Sequence, residues 1–500
     1  MHRHICKRVF TVILLFASCS KEESSNMNDI LPQTKGIINQ KYYSLGASYD
    51  ITYNYLDIDA TKYPVVDIDA FLKSNPNSYI ENNTTHGSIN IASGATAEEY
   101  IREFAEQHEG SIGIMELIGK NIKFESDLHT KSTYSSKYSY GRGDIIKRVK
   151  RVYLNATPSM LQNYLIPEFK RDLTILPPDD FVKKYGTHVL LDITLGGRIQ
   201  FDYRSTIYAT NNLTDKKRIV EAGLKLSIGK FGADASGSFT QQEIVSTSQK
   251  NATWNTTIEF YGGENSGTSY VYDSENGLTS TGFNLSSWEN SVNEKNATII
   301  QINSNKTYPI YDFISDKFLK EQIKDAVERY TKAQEITIIP VKPLYRLYSK
   351  NTRNTFFTSS LEEANHYQKQ GYKFDYGEAH YLQGYVFEKE QPNTVPILRL
   401  YKKSNSNTFF TTSYQEAEYY NRKGYKPDHG ITNYILGYVY KEYMGANTTA
   451  IYRMYKGSIS NTFMTTNYNE ALEYLKEGYS WDKGTTNYIQ GYIIDRKSVV

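Results

Sequence analysis

Two cysteines, Cys6 and Cys19, are all that the 500 residues carry, and both lie in the first 19. The rest of the chain therefore has no disulfide and no thiolate metal site. Charge of one sign is not in excess either, since the formal net charge is +2. Nucleic-acid binders concentrate basic surface, so this balance argues against a nucleic-acid partner. Beyond residue 19 no apolar run reaches the 18 residues or so that a membrane-crossing helix needs. The mean hydropathy of −0.57 is that of a soluble chain. Catalytic patterns are missing as well. There is no Gly-x-Ser-x-Gly elbow, no His-Glu-x-x-His pair and no free cysteine in the body. Asp57-Ile58-Asp59 and Asp67-Ile68-Asp69 put carboxylates on one strand face, but lack the loop and glycine of a calcium site. No enzyme activity, cofactor or metal is expected.

What is abundant is tyrosine, 45 residues. An apolar ring with a polar tip suits surfaces that bind sugars, partners or membrane interfaces. The same residue is also favoured in β-rich structure, and composition does not separate the two.

The amino terminus reads as an address. His2, Arg3, His4, Lys7 and Arg8 precede a short apolar core, Val9 to Phe16, too short to span a bilayer. Leu15-Phe16-Ala17-Ser18-Cys19 resembles a bacterial lipobox, with Cys19 as the lipidated residue. The alternative is an ordinary secretory signal. Ser20-Lys21-Glu22-Glu23 resembles the surface-export signal of Bacteroidota lipoproteins. Residues 1–19 are thus a lipoprotein signal peptide and 20–36 a flexible polar tether. The resemblance implies an outer-membrane, surface-exposed lipoprotein, retained there or released in vesicles.

From 37 to 335 the chain mixes strand and helix patterns. Glu98 to Gln107, Pro158 to Leu173 and Asp316 to Lys332 have helical spacing. Tyr185-Gly186-Thr187-His188, with Gly196-Gly197 downstream, resembles the signature of membrane attack complex/perforin (MACPF) domains. Leu45-Gly46 with Tyr49-Asp50 resembles the start of such domains. Trp288 and Pro309-Ile310-Tyr311-Asp312-Phe313-Ile314 resemble the segment that closes them. Val189 departs from the aromatic residue that many members carry there.

The resemblance implies an α+β fold: a bent antiparallel sheet flanked by helical clusters. His188 then belongs to the structure rather than to catalysis. Gly196, Gly197, Gly262 and Gly263 suit the places where such a sheet bends, although Gly262-Gly263 also reads as a plain hairpin turn. The resemblance further implies that two helical clusters, one on each side of the signature in sequence, unwind into amphipathic β-hairpins that close into a barrel in an oligomeric ring.

Both windows show alternation. Leu224, Leu226 and Ile228 share one parity, and Phe231 follows a one-residue slip, within a run from Ala222 to Phe239. Ile112 and Ile114, then Ile122 and Phe124, alternate with polar residues in the first window. Ordinary half-buried strands alternate in the same way. Arg142-Gly143-Asp144 spells an integrin tripeptide, which chance and loop chemistry explain.

After Glu335 to Pro343 the chain becomes a threefold repeat, 344–387, 397–440 and 451–494, each unit 44 residues long. Arg346, Arg399 and Arg453 stand beside Tyr348, Tyr401 and Tyr455, and Asp375, Asp428 and Asp482 recur later in each unit. A β-rich pseudo-threefold module follows, because one unit alone cannot bury its apolar face. These tyrosines and aspartates are candidate recognition residues for a surface glycan or protein receptor. Equally, the repeated tyrosines and arginines could form the repeat core.

The function expected is pore formation in the membranes of related bacteria. A non-lytic adhesin or glycan-binding lipoprotein is the alternative.

Overall fold

Helices begin where a polar side chain takes up an orphan amide or where proline removes one. Asp67 accepts from the Ala70 amide to start α1 (Ile68–Ser74). The Thr96 hydroxyl accepts from the Glu99 amide at the head of α2 (Ala97–Gln107). Pro178 opens α3 (Pro178–Tyr185), which Gly186 ends at φ +74°. Asn212 caps α4 (Leu213–Lys230), and Thr240 with Glu243 forms a capping box on α5 (Gln241–Ser248). Asp316 caps α6 (Lys317–Gln334). Ser360, Ser413 and Asn467 repeat the device on α7 (Leu361–Lys369), α8 (Tyr414–Arg422) and α9 (Tyr468–Lys476).

Three expectations need correction here. Asp57 and Asp67 do not line a strand face: Asp67 caps α1 and Asp57 caps the short turn Ile58–Ala60. The helical run from Pro158 is broken into Pro158–Leu161 and Pro167–Ile175, because Pro167 offers no N–H and Ile166 before it is extended. Arg142-Gly143-Asp144 is not in a loop; it lies inside the longest strand, with Arg142 and Asp144 buried.

The computed structural model describes residues 41–107, 118–120, 135–277, 283–335, 338–376, 381–430, 433–445, 447–484 and 487–496. All fall in one compact unit. Its first part carries β1 (Ala47–Tyr49), β2 (Thr61–Pro64), β3 (Tyr79–Asn83), β4 (Gly87–Gly94), β5 (Ser139–Leu154), β6 (His188–Leu190), β7 (Asp192–Thr206), β8 (Thr253–Tyr261), β9 (Ser269–Asp273), β10 (Thr298–Ile302) and β11 (Thr307–Pro309). Four of these form a small sheet in the order β11-β6-β1-β2. The other seven form the main sheet, β3-β5-β7-β8-β9, with β4 also on β5 and β10 also on β7. Every pairing is antiparallel.

At its centre, along β7 and the first half of β5, the main sheet is buried on both faces. Along β7, Ile199, Phe201 and Tyr203 join an apolar cluster with Leu224 and Ile228 of α4. The opposite parity, Arg198, Gln200, Asp202 and Arg204, is buried too, together with Arg142 and Asp144 of β5. The Arg142 guanidinium lies over the Phe104 ring of α2 and the Tyr55 ring, at 5.7 and 5.8 Å.

The three repeats fold alike. Unit one holds β12 (Val341–Ser349), β13 (Asn354–Thr358), α7, β14 (Lys373–Phe374) and β15 (Leu382–Phe387). Unit two holds β16 (Thr394–Lys402), β17 (Asn407–Thr411), α8, β18 (Lys426–Pro427) and β19 (Ile435–Tyr440). Unit three holds β20 (Thr448–Lys456), β21 (Asn461–Thr465), α9, β22 (Ser480–Trp481) and β23 (Ile489–Ile494). The closing strands β15, β19 and β23 all pair with one another. Equivalent residues from the three units, such as Phe357, Phe410 and Met464, meet in one core. No unit closes that core by itself.

Candidate functional site

The signature is a structural staple. Tyr185 packs its buried ring on Phe169 and Phe181 and donates its hydroxyl to Asp172 at 3.0 Å. A side chain at Gly186 would strike the Asp50 backbone at 3.0 Å. Thr187 donates its amide to Tyr49 O at 3.0 Å and accepts the Ile51 amide at 3.2 Å. His188 pairs across the small sheet with Tyr49 on one side and Pro309 on the other. The three segments that resemble the family's start, signature and close therefore meet in one sheet. His188 is buried, its Nδ1 lies 2.9 Å from Thr187 Oγ1, and burial pulls its pKa down to about 4. A neutral imidazole held this way serves packing.

The glycine pairs meet at a break that runs across the main sheet. At Gly196, β7 changes partner: residues 193–196 pair with β10, residues 198–206 with β8. On its other side β5 carries a bulge between Arg148 and Lys150, where its own partner changes from β4 to β3. Added side chains would not fit there. A Cβ at Gly196 would sit 2.0 Å from Lys147 O, and one at Gly197 2.9 Å from the Trp288 ring. Gly262 follows β8 at φ +69°, and its Cβ would fall 2.5 Å from Gly196 O. Trp288 Nε1 donates to Gly262 O at 3.2 Å and fixes the stack. The sheet turns here because four strands lose continuity together and only glycine lets their backbones approach.

Two long insertions leave the same end of this sheet. Residues 95–138 join β4 to β5, and residues 207–252 join β7 to β8. The register puts all four strand ends level: Gly94 faces Tyr140, Ser139 faces Ser205, and Thr206 faces Thr253. In the second insertion α4 lies on the apolar sheet face. Gly141 and Gly143 make room for it: their added Cβ atoms would meet Leu224 at 3.1 Å and Ile228 at 2.6 Å. Leu224 and Ile228 face the sheet, as i and i+4 must, and Phe231 joins the same cluster. Leu226 instead packs toward Phe239 and Ile244 beside α5. Residues on one parity of a strand are thus split between two faces of a helix. The first insertion opens with α2, and Lys217 of α4 reaches Glu103 of α2 at 2.7 Å. Ile112, Ile114, Ile122, Phe124 and Cys19 lie outside the described residues.

In the repeats, Asp375, Asp428 and Asp482 are not offered to a ligand. Each pairs with the Nε of its own unit's arginine, at 3.0, 3.1 and 3.1 Å. Those arginines, Arg346, Arg399 and Arg453, are fully buried and reach on into a neighbouring unit. Arg399 binds Glu363, Arg453 binds Glu416, and Arg346 binds Glu470, each through both terminal nitrogens at 2.8–2.9 Å. The contacts run from unit two to one, three to two and one to three, which closes a ring. Tyr348 is half-buried and Tyr401 and Tyr455 are exposed, so these three remain the outward members of the set. The three glutamates were missed in the sequence, although each directly precedes the repeated Ala364, Ala417 or Ala471.

A bent antiparallel sheet with two helical insertions at one end, followed by a closed three-unit module, defines the class. Residues 67–337 match the family model described as the MAC/Perforin domain, and the chain belongs to that family. Residues 327–490 match a model described as a domain of unknown function (DUF5648). No curated protein matches the chain. Among solved structures, a Bacteroides thetaiotaomicron protein with a MAC/Perforin domain is 16% identical, covering 76% of this chain and 87% of its own, at TM-score 0.47. GNIP1Aa from Chromobacterium piscinae is 14% identical over 87% of this chain and 92% of its own, at TM-score 0.44. Wild-type pneumolysin is 12% identical over 46% and 43%, at TM-score 0.22. Among the described residues no helix is long and apolar enough to cross a membrane.

Proposed function

We propose that the protein perforates membranes when residues 95–138 and 207–252 refold into two β-hairpins. Copies assembled as a ring on the target would close the hairpins into a barrel. The observation that carries this is the common exit: both insertions leave one end of the sheet, from strands already in register, so each hairpin would continue β4–β5 or β7–β8. Length supports it. Each insertion has roughly 45 residues, hence about 20 per strand, where about 10 suffice to cross a bilayer. Closing the barrel would satisfy the strand edges that lipid cannot. The two-faced packing of α4 also supports it, because Leu224, Leu226 and Ile228 would regain a single lipid-facing side. Once α2 and α4 depart, the sheet keeps one apolar face and one lined by charge, as a lumen needs.

The amino terminus supports the setting: a surface lipoprotein anchored through Cys19, acting on membranes of related bacteria with the repeat module choosing the target. In this reading the chain is not an enzyme. Purified protein should release dye from outer-membrane vesicles of susceptible strains and leave rings visible by electron microscopy. Leu226→Asp should abolish release, because a charge on the lipid face is unfavourable in every copy of the ring. Binding without release or rings, in the wild type, would make the chain a non-lytic adhesin instead.

A further inference from the structure

The ends of the two insertions are held chiefly by the first repeat, with one further bond, from Lys137, to Asp495 just after the third. Before β5, Ser136 Oγ bridges Val341, accepting its amide at 2.6 Å and donating to its carbonyl at 2.7 Å. The Ser136 amide donates to Ile339 O, and Ser135 makes a parallel bridge with Ile339. Lys137 is buried, donates its Nζ to Asp495 O at 3.0 Å, and sits 5.1 Å from the Tyr385 ring. After β7, the Tyr345 hydroxyl donates to Tyr208 O at 3.1 Å, and the Tyr208 ring meets Tyr381 edge-on at 5.8 Å. Residues 209–211 then face α7 across a shared cleft. The equivalent positions of the other units are more open: Tyr414 and Tyr468, equivalent to Leu361 beside this contact, are about half exposed.

These contacts stand where the hairpins would have to start. Strand β5 can lengthen only backward from Ser139, through Ser136 and Lys137. Strand β7 can lengthen only forward from Thr206, through Tyr208. A root packed against the module cannot also extend the sheet: the Ser136 amide is already bonded to Ile339 O, and the Tyr208 ring and the buried Lys137 side chain would have to leave their places against the first unit.

We infer that the carboxy-terminal module is an autoinhibitory latch: its first unit pins the roots of both insertions and must release them before either hairpin can form. The inference rests on the pore-forming reading above. It assigns the module a second task, coupling whatever engages its surface to the refolding of the sheet end.

In the lipoprotein reading Cys6 leaves with the signal peptide and the Cys19 thiol is acylated, so two added cysteine pairs carry the only free thiols and test the latch against the chain that lacks them. Ser136→Cys with Val341→Cys ties root to module, by disulfide or by a short bis-maleimide. Gly141→Cys with Leu224→Cys ties α4 to the sheet, where a Cβ added at Gly141 would lie 3.7 Å from Leu224 Cβ, a spacing that suits a disulfide. On outer-membrane vesicles loaded with dye, both tied proteins should lose release at least tenfold. Reduction should restore it to the disulfide forms and leave the maleimide form blocked. Release by the first tied protein at the wild-type rate, with the second one blocked, overturns the latch and leaves the pore. Undiminished release by both overturns the pore reading and the latch with it. A measurement without membranes stands beside these. Tyr345→Phe with Lys137→Met should speed amide exchange across 206–212 about tenfold while β8 keeps its protection. Unchanged exchange at 206–212 overturns the latch.

Discussion

Replacing Arg453 by methionine should destabilise the repeat module by an amount that its surroundings set. The guanidinium is fully buried, binds Glu416 at 2.8 and 2.9 Å, donates to Phe410 O at 3.0 Å, and lies 5.0 Å from the Phe409 ring. Methionine fills part of the volume but leaves Glu416, itself fully buried, without its counter-charge. Breaking one side of a buried pair costs about 3–5 kcal/mol. A module of this size melts roughly 2–4 °C lower per kcal/mol, so the transition should fall by about 6–20 °C. Removing both partners, Arg453→Met with Glu416→Leu, takes away the orphan charge and should recover at least half the loss. Asp482 is less of a burden, since its side chain keeps 15% exposure. Arg346→Met should cost the same within about 1 kcal/mol, because its bond to Glu470 joins the first unit to the last and closes the ring as the others do. Differential scanning calorimetry on the full chain reads all three variants. A drop below about 4 °C for Arg453→Met, or a double variant no better than the single, would refute the ring as a stabilising element.

Four other outcomes are expected. Burial lowers the His188 pKa from 6.5 to about 4, so the folded state binds fewer protons than the unfolded chain in that window. Stability should be complete above pH 6.5 and fall by about 3 kcal/mol on the way to pH 4, a slope that urea midpoints measure and His188→Gln should flatten. Gly197→Val puts a methyl-bearing carbon within 2.7 Å of Val292 and 2.9 Å of Trp288. It should cost about 1–3 kcal/mol, and an unshifted melting temperature would count against the glycine stack. Lys217→Ala removes a part-exposed bridge to Glu103 and Glu99. Thermal melts should move by less than about 1 kcal/mol, while dye release should quicken if α2 and α4 restrain each other. Cys19→Ala should abolish acylation, read by detergent-phase partition; unchanged partition ends the lipoprotein proposal.

Several elements were legible because they obey local rules. The helical spacing from Asp316 is such a case, and Thr240 with Glu243 and the Ser360, Ser413 and Asn467 positions carry the same one-turn capping chemistry, although no helix start was expected at them. The three repeats are visible because like units must stack. The glutamates of the ring were not, because a Glu at the head of a helix also reads as a surface residue favoured by the helix dipole. Arg142-Gly143-Asp144 misled for a similar reason. In a strand buried on both faces, the parity that carries charge faces another protein layer instead of water, and Gly143 is small because Ile228 lies on it.

The amino-acid sequence alone determined the signature, the glycine pairs, the alternation within Ala222 to Phe239 and the threefold period, all written in nearest-neighbour chemistry. Tertiary structure decided which of two periods that segment obeys: with the sheet on one side and α5 on the other, helix α4 buries Leu224 on one face and packs the half-buried Leu226 on another. It also decided that segments more than a hundred residues apart meet at His188, and that the roots of both insertions rest on the first repeat. Such pairings depend on which surfaces the chain folds together, and no local spacing encodes them.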